Sequence, residues 1–86
     1  MKGAWQQAFD LSEIKARDYQ SKSFKREDYF PFERLSYLQM IWIKVMRLRN
    51  LIENNKPTLH ESLKDTLLDL INYAAFFVEH LDKEEK

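Results

Sequence analysis

Apolar residues recur along this chain at three- and four-residue steps in three separate runs, the spacing of helices rather than strands. In the first run Trp5, Ala8, Phe9, Ser12, Ala16 and Tyr19 fall on that step, with Leu11 and Ile14 beside them, so a helix is expected over about residues 3–19. The second run predicts a helix over about residues 32–54. At about 100° per residue, Leu38, Ile41, Val45, Leu48 and Ile52 share one face, while Trp42, Ile43 and Met46 fall on others. A helix apolar nearly all round needs burial on more than one side. The third run predicts a helix over about residues 59–81, with a main core stripe of Leu63, Leu67, Leu70, Ile71, Ala74, Val78 and Leu81. Thr58 stands three residues before Glu61, a capping-box start. Residues 82–86, "DKEEK", read as a flexible, solvated tail.

Between the first two runs, "QSKSFKREDYFPF" is polar, charged and aromatic without a period, and reads as a connection of about a dozen residues. Pro31 disfavours a helical Phe30 and suits the first turn of the second helix. "ENNKPT" separates the second and third helices. With one glycine and two prolines in 86 residues, the chain lacks the Asn-Gly or Gly-rich turns that hairpins need. These features predict an all-α, three-helix protomer forming a single domain.

Composition then sharpens the picture. A chain of 86 residues has a marginal core of its own. The absence of cysteine removes disulfides and thiolate zinc sites as supplements. The all-round apolarity of helices two and three therefore predicts a dimer or larger homo-oligomer. Fourteen basic and fourteen acidic residues leave no net charge, which argues against broad nucleic-acid binding. No stretch has the length and apolarity of a membrane span. The N-terminus has no signal-peptide core, so a cytoplasmic protein is expected, in the host cytoplasm for a phage-encoded chain.

The candidate chemistry lies in "ESLKDTLLDLINYAAFFVEHL", residues 61–81. Asp65, Asp69 and Asn72 are spaced four and three apart and stack along one edge, about half a turn from the Leu67 stripe. They are either a solvent face or, since Phe76 extends the same edge, the wall of a crevice or helix interface. Two carboxylates one turn apart can hold a hard cation such as Mg²⁺. Lys44 and Arg47, three apart on helix two, could meet phosphate charge or pair with Asp65 or Asp69; spacing does not separate these. Lys15 and Asp18 are one turn apart, forming either a surface ion pair or, with Tyr19, the mouth of a site. His60 and His80 are about 30 Å apart along the helix, too far to share one metal within one chain. Trp5, Trp42 and the phenylalanines suit a core or an oligomer interface, with Tyr19 or Tyr29 available to stack on a base.

Three segments together carry a family likeness: "KARDY" at residues 15–19, "IKVMRLRNL" at 43–51 and "ESLKDTLLDLINYA" at 61–74. Their order resembles the nucleotide-modification-associated domain, type one, a small α-helical family of phages and bacteria, over roughly residues 9–81. The chain is also distantly similar to the all-α nucleoside triphosphate pyrophosphatases of the MazG kind. The resemblance implies a nucleotide or other small phosphorylated ligand, homo-oligomerisation, and Mg²⁺-dependent hydrolysis as an activity to test. It places nucleotide contacts on Lys15, Asp18, Tyr19, Lys44, Arg47 and Asn72, metal contacts on Asp65 and Asp69, and Tyr73 within the same pattern. The pyrophosphatases also carry an E-x-x-E pair on the preceding helix, where this chain has only Glu33 and Glu53. A non-catalytic module that binds a host protein, or a structural helical oligomer, is the alternative reading.

Overall fold

A computed structural model describes residues 2–18, 26–54, 57 and 59–85. The chain is all-α. Helix α1 spans Ala4–Asp18, α2 spans Arg34–Asn54 and α3 spans Leu59–Glu84, with a short 3-10 turn, Arg26–Tyr29, inside the first connection. There is no strand among the described residues. No helix is long and apolar enough to cross a membrane.

The second helix begins at an unusual corner. Glu33 has a positive φ of 55°, a backbone region costly for a side-chain-bearing residue. It is held because the turn is well bonded. Glu33 donates its N–H to the Phe30 carbonyl, and its own carbonyl accepts from Ser36 and Tyr37. The buried Ser36 hydroxyl accepts from the Phe32 N–H. Pro31 lies in this turn rather than in the helix, which starts at Arg34. Helix α2 ends at Asn54 and α3 begins at Leu59, with Pro57 between them. Thr58, the expected cap, lies outside the described residues.

Helices α2 and α3 run antiparallel: Arg34 near the start of α2 bonds Glu84 at the end of α3 through Nη2 at 2.6 Å and Nε at 3.0 Å. Those bonds hold the Glu84 carboxyl below its ordinary pKa. They also explain why α3 continues to Glu84, where the sequence reads as a tail from residue 82. Helix α3 packs on both α2 and α1, whereas α1 does not pack on α2 among the described residues.

The core is small and aromatic. Tyr37, only 2% exposed, stacks on Phe30 at 4.3 Å and on Phe77 at 5.4 Å, and lies 5.1 Å from the His80 ring. Tyr73 closes the group edge-on against Phe30 and Phe76. Among the described residues Ala8, Phe30 and Tyr37 are the only buried apolar side chains. Of the two places expected for Trp5 and Trp42, core or oligomer interface, the protomer's core is excluded, since both are exposed. The innermost line of α3 carries Thr66, Asp69, Tyr73 and Phe77, which meet rings and polar partners. The expected core stripe of α3 is inward only in part: Leu63, Leu70 and Ile71 are half-buried, as are Asp69 and Tyr73, whereas Leu67, Ala74, Val78 and Leu81 are exposed and Thr66 is buried. Likewise Leu38, Val45 and Ile52 of the expected α2 face are exposed.

A residue from the aperiodic connection thus anchors the core. Phe30→Ala should cost about 3 kcal/mol, as for other truncations of buried phenylalanine. Phe32→Ala, at an exposed position two residues on, should change stability by less than about 0.5 kcal/mol. Chemical denaturation of the two variants checks the contrast.

Candidate functional site

The polar line on α3 is an inner seam at which all three helices meet. Asp69 is its centre. Lys15 from α1 donates to Asp69 Oδ1 at 2.5 Å, and Lys44 from α2 lies 3.2 Å from Oδ2. The Asp69 side chain is 14% exposed and Lys44 19%, while Lys15 is more open at 42%. Each carboxylate oxygen therefore has its own ammonium group, from a different helix. Lys44 also lies 5.9 Å from the Tyr73 ring centroid, close enough for a cation–π contact.

One turn earlier, Thr66 is 2% exposed. Its hydroxyl donates to the Ser62 carbonyl at 2.8 Å and accepts from Arg47 Nε at 3.3 Å. Arg47 is nevertheless exposed as a residue. One turn later, Asn72 Nδ2 donates to the Ala8 carbonyl of α1 at 2.8 Å. That bond needs close approach, and Ala8 is small and buried where it occurs.

The structure therefore brings together Lys15, Lys44, Arg47, Asp69 and Asn72, drawn from three helices. It leaves Asp65 exposed, with no hydrogen bond or ion pair among the described residues. Asp18 closes α1, but its side chain and the whole of Tyr19 lie outside the described residues. Of the readings left open by spacing, ion pairing holds for Asp69 with Lys44. Lys15 joins that pair, and Arg47 goes to Thr66. Thr66 itself is the residue that sequence reasoning missed. Its signal was its position: it precedes Asp69 by three and Tyr73 by seven, on the same helical line.

For a cation, the donor set is poor. Both oxygens of Asp69 already face ammonium groups, so of the two aspartates on this line only Asp65 is open. For an anion the balance is better. Two ammonium groups, Lys15 and Lys44, face the one carboxylate of Asp69, and Arg47 stands one turn away on Thr66. A second cluster, at the far end of α3, brings single donor atoms of Glu33, His80 and Glu84 within 4.8 Å of one another. Arg34 supplies one cation there, at Glu84 Oε2. His80 Nε2 lies 2.8 Å from Glu84 Oε1 without hydrogen-bond alignment.

Fold and site together define a small all-α domain with a cationic, carboxylate-centred seam between its helices. The chain belongs to the family described as nucleotide modification associated domain 1, whose model matches residues 15–81. The matched region begins at Lys15 and contains every side chain of the seam described above; the Ala8 carbonyl that accepts from Asn72 lies before it. No curated protein and no solved structure matches the chain.

The half-buried Lys44–Asp69 pair should show a coupling of about 1–2 kcal/mol in a double-mutant cycle of Lys44→Met and Asp69→Asn, between exposed and buried values. The more exposed Lys15 should couple to Asp69 by less than about 1 kcal/mol. Urea denaturation of the four proteins in each cycle measures both.

Proposed function

We propose that the domain binds a nucleotide through its phosphates at the Lys15–Lys44–Arg47 end of the seam. The observation that supports this most is the charge count around Asp69. Two ammonium groups share one carboxylate, and Arg47, an exposed residue, sits one turn along α2 from Lys44. A phosphate arriving there takes over part of the counter-charge that Asp69 now provides. Lys15, the more exposed lysine, is the one free to turn toward it. Arg47 presents a planar fork suited to two phosphate oxygens, and Lys44 a point charge. The family's description, which concerns nucleotide modification, points to the same ligand class.

In this reading Mg²⁺ comes with the nucleotide rather than to a preformed protein site. It would neutralise phosphate charge, as this ion commonly does with few protein ligands, and Asp65 is the carboxylate open to it. Binding without turnover is the activity proposed. Glu33 and Glu53 lie at opposite ends of α2, so they supply no acidic pair opposite Asp65.

Thermal unfolding with nucleoside mono-, di- and triphosphates, each with and without Mg²⁺, tests the proposal. Stabilisation should rise with the number of phosphates, reaching about 2.7 kcal/mol when free ligand is 100-fold above Kd. Arg47→Met should remove most of that increment while leaving unliganded stability within about 1 kcal/mol. Inorganic pyrophosphate, run alongside, separates phosphate recognition from base recognition. Absence of any shift across the full panel would sink the proposal.

A further inference from the structure

The corner where α2 begins and α3 ends holds the second donor cluster. Glu33 lies in the turn before α2, and His80 and Glu84 stand four apart in the last turns of α3, so those two share one helical face. Single donor atoms of the three lie within 4.8 Å of one another. Arg34 bonds Glu84 at Oε2. That gives one guanidinium to two carboxylates and leaves Glu84 Oε1 beside His80.

His80 Nε2 is the unusual atom. It is buried and has no hydrogen-bond partner among the described residues. Glu84 Oε1 is 2.8 Å away, yet no ring proton is aligned between the two. As an N–H, Nε2 lacks an acceptor; as a lone pair, it faces a carboxylate oxygen that donates nothing. A buried polar atom left unmatched is destabilising. A cation held by both atoms removes the mismatch in one step.

The geometry is close to that of a metal site. Two donors each about 2.1 Å from one ion are about 3.0 Å apart at a right angle and about 3.4 Å apart at the tetrahedral angle. The His80–Glu84 spacing of 2.8 Å is just below that range, and a small rotation of Glu84 opens it. Glu33 and Glu84 are exposed, so an ion reaches Nε2 by moving a carboxylate rather than by entering the core. Arg34 stays on Oε2 as the outer partner that orients the ligating carboxylate, as such partners do around metals. Glu33 holds its place with a positive φ of 55°, where glycine or asparagine would be less strained; a carboxylate is what neither would supply.

We infer that Glu33, His80 and Glu84 bind one divalent transition-metal ion of the zinc class. One imidazole with two carboxylates suits zinc, cobalt or nickel and selects against Mg²⁺, which takes oxygen ligands. Three protein ligands match the donor count of an open zinc site, with the fourth position left to water. The ion ties the turn before α2 to the end of α3, beside the ring packing in which His80 lies 5.1 Å from Tyr37. Asp69 stands eleven residues before His80, about 16 Å along the helix. The metal site is therefore separate from the proposed phosphate site and does not rest on it.

Calorimetric titration of zinc chloride into the full chain, stripped with a chelator and free of nucleotide, should show one ion bound per chain. Glu33→Gln, at an exposed position, should weaken binding by at least the loss seen for an outer-shell partner, about tenfold, with helix content unchanged. His60→Gln, at the other histidine, should leave the affinity within about twofold, as a distant position should. A further measurement needs no substitution near the core: in proton–nitrogen spectra of the histidine rings, zinc should move the His80 signals and leave those of His60 in place. Absence of saturable zinc binding would overturn the inference. So would equal affinity in the wild type and Glu33→Gln, loss of binding in His60→Gln, or zinc-induced shifts at His60 with none at His80.

Discussion

Asp69 accepts Lys15 from α1 on one carboxylate oxygen and faces Lys44 from α2 with the other. Helices α1 and α2 do not pack on each other among the described residues, so α3 is the common support and Asp69 its central fastening. Thr66 and Asn72 repeat the arrangement one turn to either side, with a hydroxyl holding Arg47 and an amide holding the α1 backbone. Polar groups turned inward are costly unless each finds its partner. Here the partners are supplied by all three helices, which ties the helix register to the side-chain chemistry.

The same seam explains the modest apolar core. An inward face occupied by Thr66, Asp69 and Tyr73 leaves little room for aliphatic packing, and the aromatic group around Tyr37 does that work at one end of the α2–α3 pair. Leu67 and Val78 of α3, like Leu38 and Trp42 of α2, are left exposed, while the polar line of α3 is turned toward the other two helices.

The helices were legible in the sequence because their period is carried by many residues. Their orientation was legible only in part: the Asp69–Asn72 edge, by spacing either a solvent face or a helix interface, does meet α1 and α2, whereas the apolar stripe does not face the core as a whole. A helical wheel assigns the most apolar stripe inward, and for α3 that put Leu67, Val78 and Leu81 in the protomer's core. The wheel weighs apolarity, whereas the protomer is organised by specific polar partners that spacing alone cannot pair. Lys44, Asp69 and Asn72 could be singled out as members of the family pattern and as interruptions of an apolar run. Lys15 could be named, but its bond to Asp69, fifty-four residues away, could not be read from spacing. Phe30 was hidden for a similar reason: it lies in an aperiodic connection, and only the tertiary fold shows that the turn before α2 delivers it to Tyr37.

If Asp69 is the resident counter-anion of two lysines, replacing it with asparagine has opposite effects on the free and the bound protein. The direct measurement is calorimetric titration of a nucleoside triphosphate into the wild type and into Asp69→Asn, with unliganded stability measured on the same samples. The expected result is a less stable free protein that binds the triphosphate at least as tightly, because both ammonium groups are released to the phosphates. Unchanged stability together with loss of binding would contradict this, and would instead make Asp69 a direct or metal-mediated ligand of the nucleotide.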